Sequence, residues 1–268
     1  MPMKALPSPT THRRAKPALV LAIASGKGGV GKTWFSATLA SAFGRLGRRA
    51  LLVDCDVGLA NADVQLGVRP EADLQAVVRG WVGLEAAITP VLGGPARPGG
   101  FDLVAGHSGT GALAQITADE VLAVCQGVRQ AAPHYDFVLL DLAAGLDAAT
   151  LRFARTADRL VLIITEEPTS LTDAYAFAKV MRLQHAETKP PLVLVNMAES
   201  KQRGRAVFEQ FAGACDKYLG MRPELVGVVC RDARVSDAIR AQTPLIVRHP
   251  QSPAFDDVRR AAESLSGL

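Results

Sequence analysis

No Cys-x-x-Cys pair occurs in the 268 residues, and the four cysteines, Cys55, Cys125, Cys215 and Cys230, stand far apart in the chain. That scatter argues against a zinc site or a disulfide framework and makes a reducing cytoplasm the simplest setting. Long apolar runs are missing as well, so no segment has the length of a membrane-crossing helix. Internal repeats and long linkers are absent, and with about half of the residues apolar one large core is feasible. Acids are absent from residues 1–17, which carry Lys4, Arg13, Arg14, Lys16 and four prolines. This stretch is expected to be a disordered basic arm, leaving 18–268 as one domain. The rest of the chain holds 26 basic and 26 acidic residues, so the net charge of +4 belongs to the arm. The domain itself then gives no strong case for direct DNA binding. Arg13, Arg14 and Lys16 ahead of the apolar residues 18–24, which end in Ala22-Ile23-Ala24, do have the outline of a secretory leader. Cleavage there would delete the strand beneath the loop described next, and that reading is rejected.

What is present is a phosphate-cradling loop. Gly26, four residues, and then Gly31-Lys32-Thr33 have the spacing at which successive backbone N–H groups wrap a nucleoside triphosphate. Glycines let the chain turn tightly and approach phosphate oxygens, which a Cβ would block. Lys32 is expected to reach the β- and γ-phosphates, and Thr33 to offer its hydroxyl to Mg²⁺. Residues 18–24 before the loop are fit for a buried parallel strand. After it, Phe35, Leu39, Ala42, Phe43 and Leu46 make one apolar stripe at helical spacing, closed by Gly47. Strand, glycine loop and helix N-terminus in that order make an anion site.

Further apolar runs at 50–53, 101–105, 137–140, 160–164, 192–195 and 225–229 alternate with helix-length patterns at 119–130, 170–184, 204–219 and 235–242. Such alternation predicts an α/β fold, a doubly wound and mainly parallel sheet with helices on both faces. Ligands of these sheets bind beyond the carboxyl ends of the strands. Acids stand there: Asp54 ends the second run, Asp56 follows, and Asp141 ends the run at 137–140. A carboxylate in these places can orient an attacking water, the part given to Asp56, or hold the magnesium shell, the part given to Asp54 and Asp141. Gly145, just beyond, would let a backbone N–H approach the γ-phosphate.

The loop Lys27-Gly28-Gly29-Val30-Gly31-Lys32-Thr33 resembles the signature of the deviant-Walker-A ATPases of the MinD/ParA superfamily, and the likeness runs from Leu19 to the end of the chain. The resemblance implies an ATP-dependent homodimer in which Lys27 reaches the partner's phosphates and, with Lys32 and Asp56, serves catalysis. It also implies a base contact for Asn196 and for Arg231 and Asp232, although Cys230 replaces a usual proline, and it puts bulky Trp34 where a small residue is usual. Trp34 either stacks near the nucleotide or anchors the helix. Residues 56–67 and 167–179 are similar to stretches of flagellar-number regulators of the FlhG (FleN) type. That branch implies restraint of a flagellar transcriptional activator and partnership with a FlhF-type GTPase. The Asp-Gln-Ala segment by which such proteins stimulate the GTPase has no counterpart in residues 1–17. The residues from 256 onward, with Asp256, Asp257 and Glu263 offsetting Arg259 and Arg260, read as a final helix packed on the domain. Membrane contact is therefore expected to be weak or indirect, through a partner at the membrane or pole. The alternative within the superfamily is a ParA-type ATPase that positions DNA or cargo. An iron–sulfur carrier is disfavoured by the cysteine placement.

Overall fold

The computed structural model describes residues 17–56, 58–106, 116–184 and 189–268. The arm expected over 1–17 lies outside them apart from Pro17. Eight strands form one sheet: β1 (Leu19–Ala24), β2 (Ala50–Cys55), β3 (Ile88–Val91), β4 (Phe101–Val104), β5 (Phe137–Leu142), β6 (Arg159–Ile164), β7 (Leu192–Ala198) and β8 (Glu224–Cys230). Their spatial order is β3-β4-β2-β5-β1-β6-β7-β8, and every pairing is parallel except β3 with β4. The doubly wound expectation is met, with one strand more than the sequence pattern gave.

Alternation along each strand builds the layers, because successive side chains leave a strand on opposite faces. Ala22 and Ala24 of β1 and Leu51 and Val53 of β2 join one core, and Leu21, Ile23, Ala50 and Leu52 join the other. Over the first core lie α3 (Leu74–Val78), α4 (Ala118–Ala131), α5 (Ala148–Thr156), α6 (Pro168–Gln184) and α7 (Lys201–Leu219). Over the second lie α1 (Lys32–Arg45), α2 (Ala62–Leu66), α8 (Ala233–Arg240), α9 (Leu245–Arg248) and α10 (Pro253–Leu265). Strands covered on both faces must be apolar throughout, which is why β1 and β2 read as unbroken apolar runs. Phe43 of α1 stacks on Phe137 at the start of β5, with ring centroids 3.8 Å apart.

The final helix packs as expected. Phe255, Val258, Ala262 and Leu265 of α10 are buried against the domain. Among the described residues, no helix is long and apolar enough to cross a membrane.

Candidate nucleotide-binding site

β1 lies between β5 and β6, and the chain leaves its carboxyl end at Ser25 to enter α1 at Lys32. The turn needs two left-handed residues, Gly29 at φ 79° and Gly31 at φ 83°, a region that side chains with a Cβ rarely adopt. The glycines of the loop differ in what they serve. A Cβ on Gly28 or Gly29 would meet nothing within 4 Å, so these two line an open cradle. A Cβ on Gly26 would come 2.2 Å from the backbone carbon of Asp173, and one on Gly31 would come 2.5 Å from Nδ2 of Asn196. Gly26 thus answers to the packing of α6, and Gly31 to Asn196. Val30 is buried beneath the loop and Thr33 is half-buried in the first turn of α1.

Lys32 is buried and its Nζ lies 3.0 Å from Oδ1 of Asp141, which also accepts the Ser36 hydroxyl at 3.0 Å. Ser36 stands one helical turn after Lys32, a spacing visible in the sequence but read there only as helix. Asp141 is fully buried and its other oxygen, Oδ2, has no partner among the described residues. Asp54 sits opposite Asp141 in the β2–β5 register and is itself buried. Burial, with Asp141 close by, pushes the Asp54 carboxyl up to about 7, against the pull of backbone N–H groups and Lys32. Those N–H groups belong to Asp56, Asn61 and Ala62, so Asp54 holds the loop after β2 and the N-terminus of α2. Burial drives the thiol of the next residue, Cys55, well above its ordinary range, and Asp54 adds to the shift.

Asp56 is half-buried, and its Oδ1 accepts the N–H groups of Gly58 and Leu59, closing a local turn. Gly145 has φ 100° and donates its N–H to the Ser25 carbonyl at 3.0 Å, so in this conformation that amide is engaged within the chain. Lys27, expected to reach a second subunit, here donates to Oε2 of Glu167 at 2.7 Å and to Oγ1 of Thr169 at 3.0 Å in its own chain. The hydrogen bond from Lys27 holds the Glu167 carboxyl below its usual range. Ser170, in the first turn of α6, accepts the N–H of Thr165 through its hydroxyl.

On the other side of the loop, Nδ2 of buried Asn196 donates to the Val30 carbonyl at 2.8 Å. The amide is turned there by an irregularity in the β7–β8 pairing that spans Asn196 and left-handed Met197, φ 54°. Arg231 is exposed, its N–H donates to the Ala198 carbonyl at 2.9 Å, and its charge reaches Glu167. Asp232 caps α8 through the Arg234 N–H and accepts the Ser252 hydroxyl at 2.7 Å. Trp34 is buried in the second core, with its ring Nε1 unpartnered.

One glycine cradle, a buried lysine beneath it and two acids at neighbouring strand ends are the groups a bound triphosphate would need, and the model of the CobQ/CobB/MinD/ParA nucleotide-binding domain matches residues 21–245. The chain belongs to this MinD/ParA family. It is 37% identical over 238 residues to the antiactivator FleN of Pseudomonas aeruginosa, covering 89% of this chain and 82% of that one. Over 191 residues it is 34% identical to the flagellum site-determining protein YlxH of Helicobacter pylori, covering 71% of this chain and 62% of YlxH. The flagellar branch indicated by residues 56–67 and 167–179 is borne out. The septum site-determining protein MinD of Pyrococcus horikoshii, solved with Mg-ADP, superposes with a TM-score of 0.74 at 24% identity, covering 92% of this chain and 96% of that one. MinD in the MinC:MinD complex of Aquifex aeolicus gives 0.75 at 24% identity. Both confirm the fold of a MinD/ParA-family chain.

The residues fit a magnesium nucleotide. The unpartnered Oδ2 of Asp141 is a free acceptor in an otherwise closed shell. Among the described residues no group of three or more His, Cys, Asp or Glu could hold a metal alone. Mg²⁺ ordinarily binds through one or two carboxylates and substrate phosphates, keeping several waters, and Thr33, Asp54 and Asp141 suit that arrangement.

Proposed function

We propose that this protein is an ATP-hydrolysing dimerisation switch of the MinD type that regulates flagellar number or placement. One observation carries the reading: a chain 37% identical to an antiactivator over most of its length presents Lys27, Lys32, Asp54 and Asp141 around one glycine cradle. In this reading the open N–H groups at Gly28 and Gly29 take the phosphates, and Lys32 neutralises their charge. Thr33, Asp54 and Asp141 would hold Mg²⁺, which when bound would supply positive charge to the transferred and leaving phosphate groups. Asp56, placed on the loop that Asp54 tethers, orients water toward the γ-phosphorus, where the new P–O bond forms as the bond to the β-phosphate oxygen breaks. The adenine lies between Asn196 and residues 231–232.

Lys27 supplies the part that one chain cannot. Released from Glu167, its ammonium reaches the triphosphate of a second copy and stabilises the charge that develops in the transition state, as an arginine finger does. ATP then joins two chains and hydrolysis parts them. Restraint of a flagellar transcriptional activator, and action with a FlhF-type GTPase, are the outputs that the FleN and YlxH likeness supports. Sedimentation with and without ATP and Mg²⁺, beside a pull-down of flagellar regulators, tests the whole reading. Monomer without nucleotide and dimer with ATP is expected. A monomer at saturating ATP would end it.

A further inference from the structure

We propose that Asp257 of α10 is a positioning residue for nucleobase recognition, holding residues 230–232 in the shape that meets the base; this rests on the reading that the base lies against them. Among the described residues β8 is an edge strand with β7 as its single neighbour, so the chain leaving it at Cys230 is not fixed by pairing on both sides. α10 supplies the missing side. Oδ2 of Asp257 accepts the Cys230 N–H at 3.1 Å, and the carboxylate also pairs with Lys201 of α7 and Arg260 of α10. Two residues on, Oδ2 of Asp232 accepts the Ser252 hydroxyl at 2.7 Å, from the residue that caps α10. Cys230 and Asp232 are therefore both tied to the first turns of one helix, and Arg231 between them stays exposed.

Stability alone does not account for this acid. Asp257 is buried but Lys201 and Arg260 are exposed, so water screens both pairs and they add little to stability. What it does provide is a fixed acceptor for one particular N–H at the end of an unflanked strand. Asp232 has one oxygen on Ser252 and the other on the Arg234 N–H, so its carboxylate also shapes the loop. With the Cys230 and Arg231 N–H groups and the Asp232 carbonyl engaged within the chain, the group presented to the base is the exposed Arg231 side chain, and its placement depends on α10.

The experiment compares full-length wild type with Asp257→Ala, Asp257→Asn and Ser252→Ala, measuring by calorimetry the affinity for ATP relative to inorganic triphosphate. That ratio isolates the nucleoside end of ATP, sugar and base together, because both ligands use the cradle and Lys32. Asp257→Ala should lower the ratio about tenfold, the size of one lost hydrogen bond with its group left unsatisfied. Asp257→Asn loses both ion pairs but keeps an acceptor for Cys230, and should recover most of the ratio; a role in stability alone would leave the two variants alike. Ser252→Ala loosens the other tie and should lower the ratio about threefold, which keeps the test open if Asp257→Ala does not fold. A wild-type ratio near one removes the base reading and this inference with it. A wild-type preference retained in Asp257→Ala and Ser252→Ala, or an Asn variant no better than Ala, overturns the inference alone.

Discussion

Nζ of Lys27 rests 2.7 Å from Oε2 of Glu167, a residue 140 positions later at the entry to α6, and Thr169 completes the seat. The lysine proposed to act on a second copy is thus held in cis when the chain is alone. Both side chains are exposed, at 39% and 65%, so water screens the pair and the hold is weak. It is a competitor for the dimer contact rather than a lock. Glu167→Gln should tighten the ATP-dependent dimer about two- to fivefold in sedimentation equilibrium. A looser dimer would mean that Glu167 assists the partner contact.

Lys27→Ala should leave ATP binding by the single chain within about twofold and lower turnover on the order of a thousandfold, the range for a charge supplied in trans. Single-turnover hydrolysis beside an equilibrium binding assay separates the two effects. Unchanged turnover would remove Lys27 from the mechanism.

Asp141→Ala leaves the Lys32 ammonium buried, 8% exposed, without its hydrogen-bonded carboxylate. Breaking a buried pair from one side costs about 3–5 kcal/mol, so urea denaturation of the nucleotide-free protein should show a loss of that order. A loss below about 1 kcal/mol would mean that water reaches Lys32.

Gly26→Ala and Gly28→Ala should fail in different ways. The first drives a methyl into the backbone of Asp173 and should lower the melting temperature whether or not nucleotide is present. The second adds a methyl in open space, so the fold should melt within about 0.5 kcal/mol of wild type while ATP affinity drops, because the cradle is narrowed. Equal stability of the two variants would contradict the division of labour among the loop glycines.

Asp54 gives the nucleotide-free protein a pH signature. Its carboxyl titrates at about 7 in the folded chain, against about 4 in the unfolded one. Between those values the folded state binds more protons, so the stabilising contribution is complete below about pH 4 and is lost progressively as pH rises to about 7. Denaturant midpoints should fall from about pH 5 to about pH 7 in wild type, with a smaller fall in Asp54→Asn. Parallel pH profiles for the two proteins would count against a protonated Asp54.

The legible parts of the fold are those where local pattern and burial agree. β1, β2 and β5 are covered on both faces and announce themselves as unbroken apolar runs. β3 does not, since it spans four residues, includes Pro90 and pairs antiparallel at the sheet edge, where a missing N–H is tolerated. α5 escapes because nine residues carry too short a stripe, although Asp147 caps it with two N–H bonds. At the site, glycine spacing and strand-end acids identify Lys32, Asp54 and Asp141 as a group. The seat of Lys27 on Glu167 and the tie from Cys230 to Asp257 join elements far apart in the chain, and only strand order brings them together.

Trp34, one residue past Thr33, is 7% exposed, whereas Trp81, the other indole of the chain, is 74% exposed. Their surroundings separate them optically: the first should emit at shorter wavelength and resist iodide, and the second should emit further to the red and be quenched by it. The protein therefore carries two native reporters of opposite solvent exposure, a buried one in the first turn of the phosphate-binding helix and an exposed one after α3, and their emission can be followed without a dye.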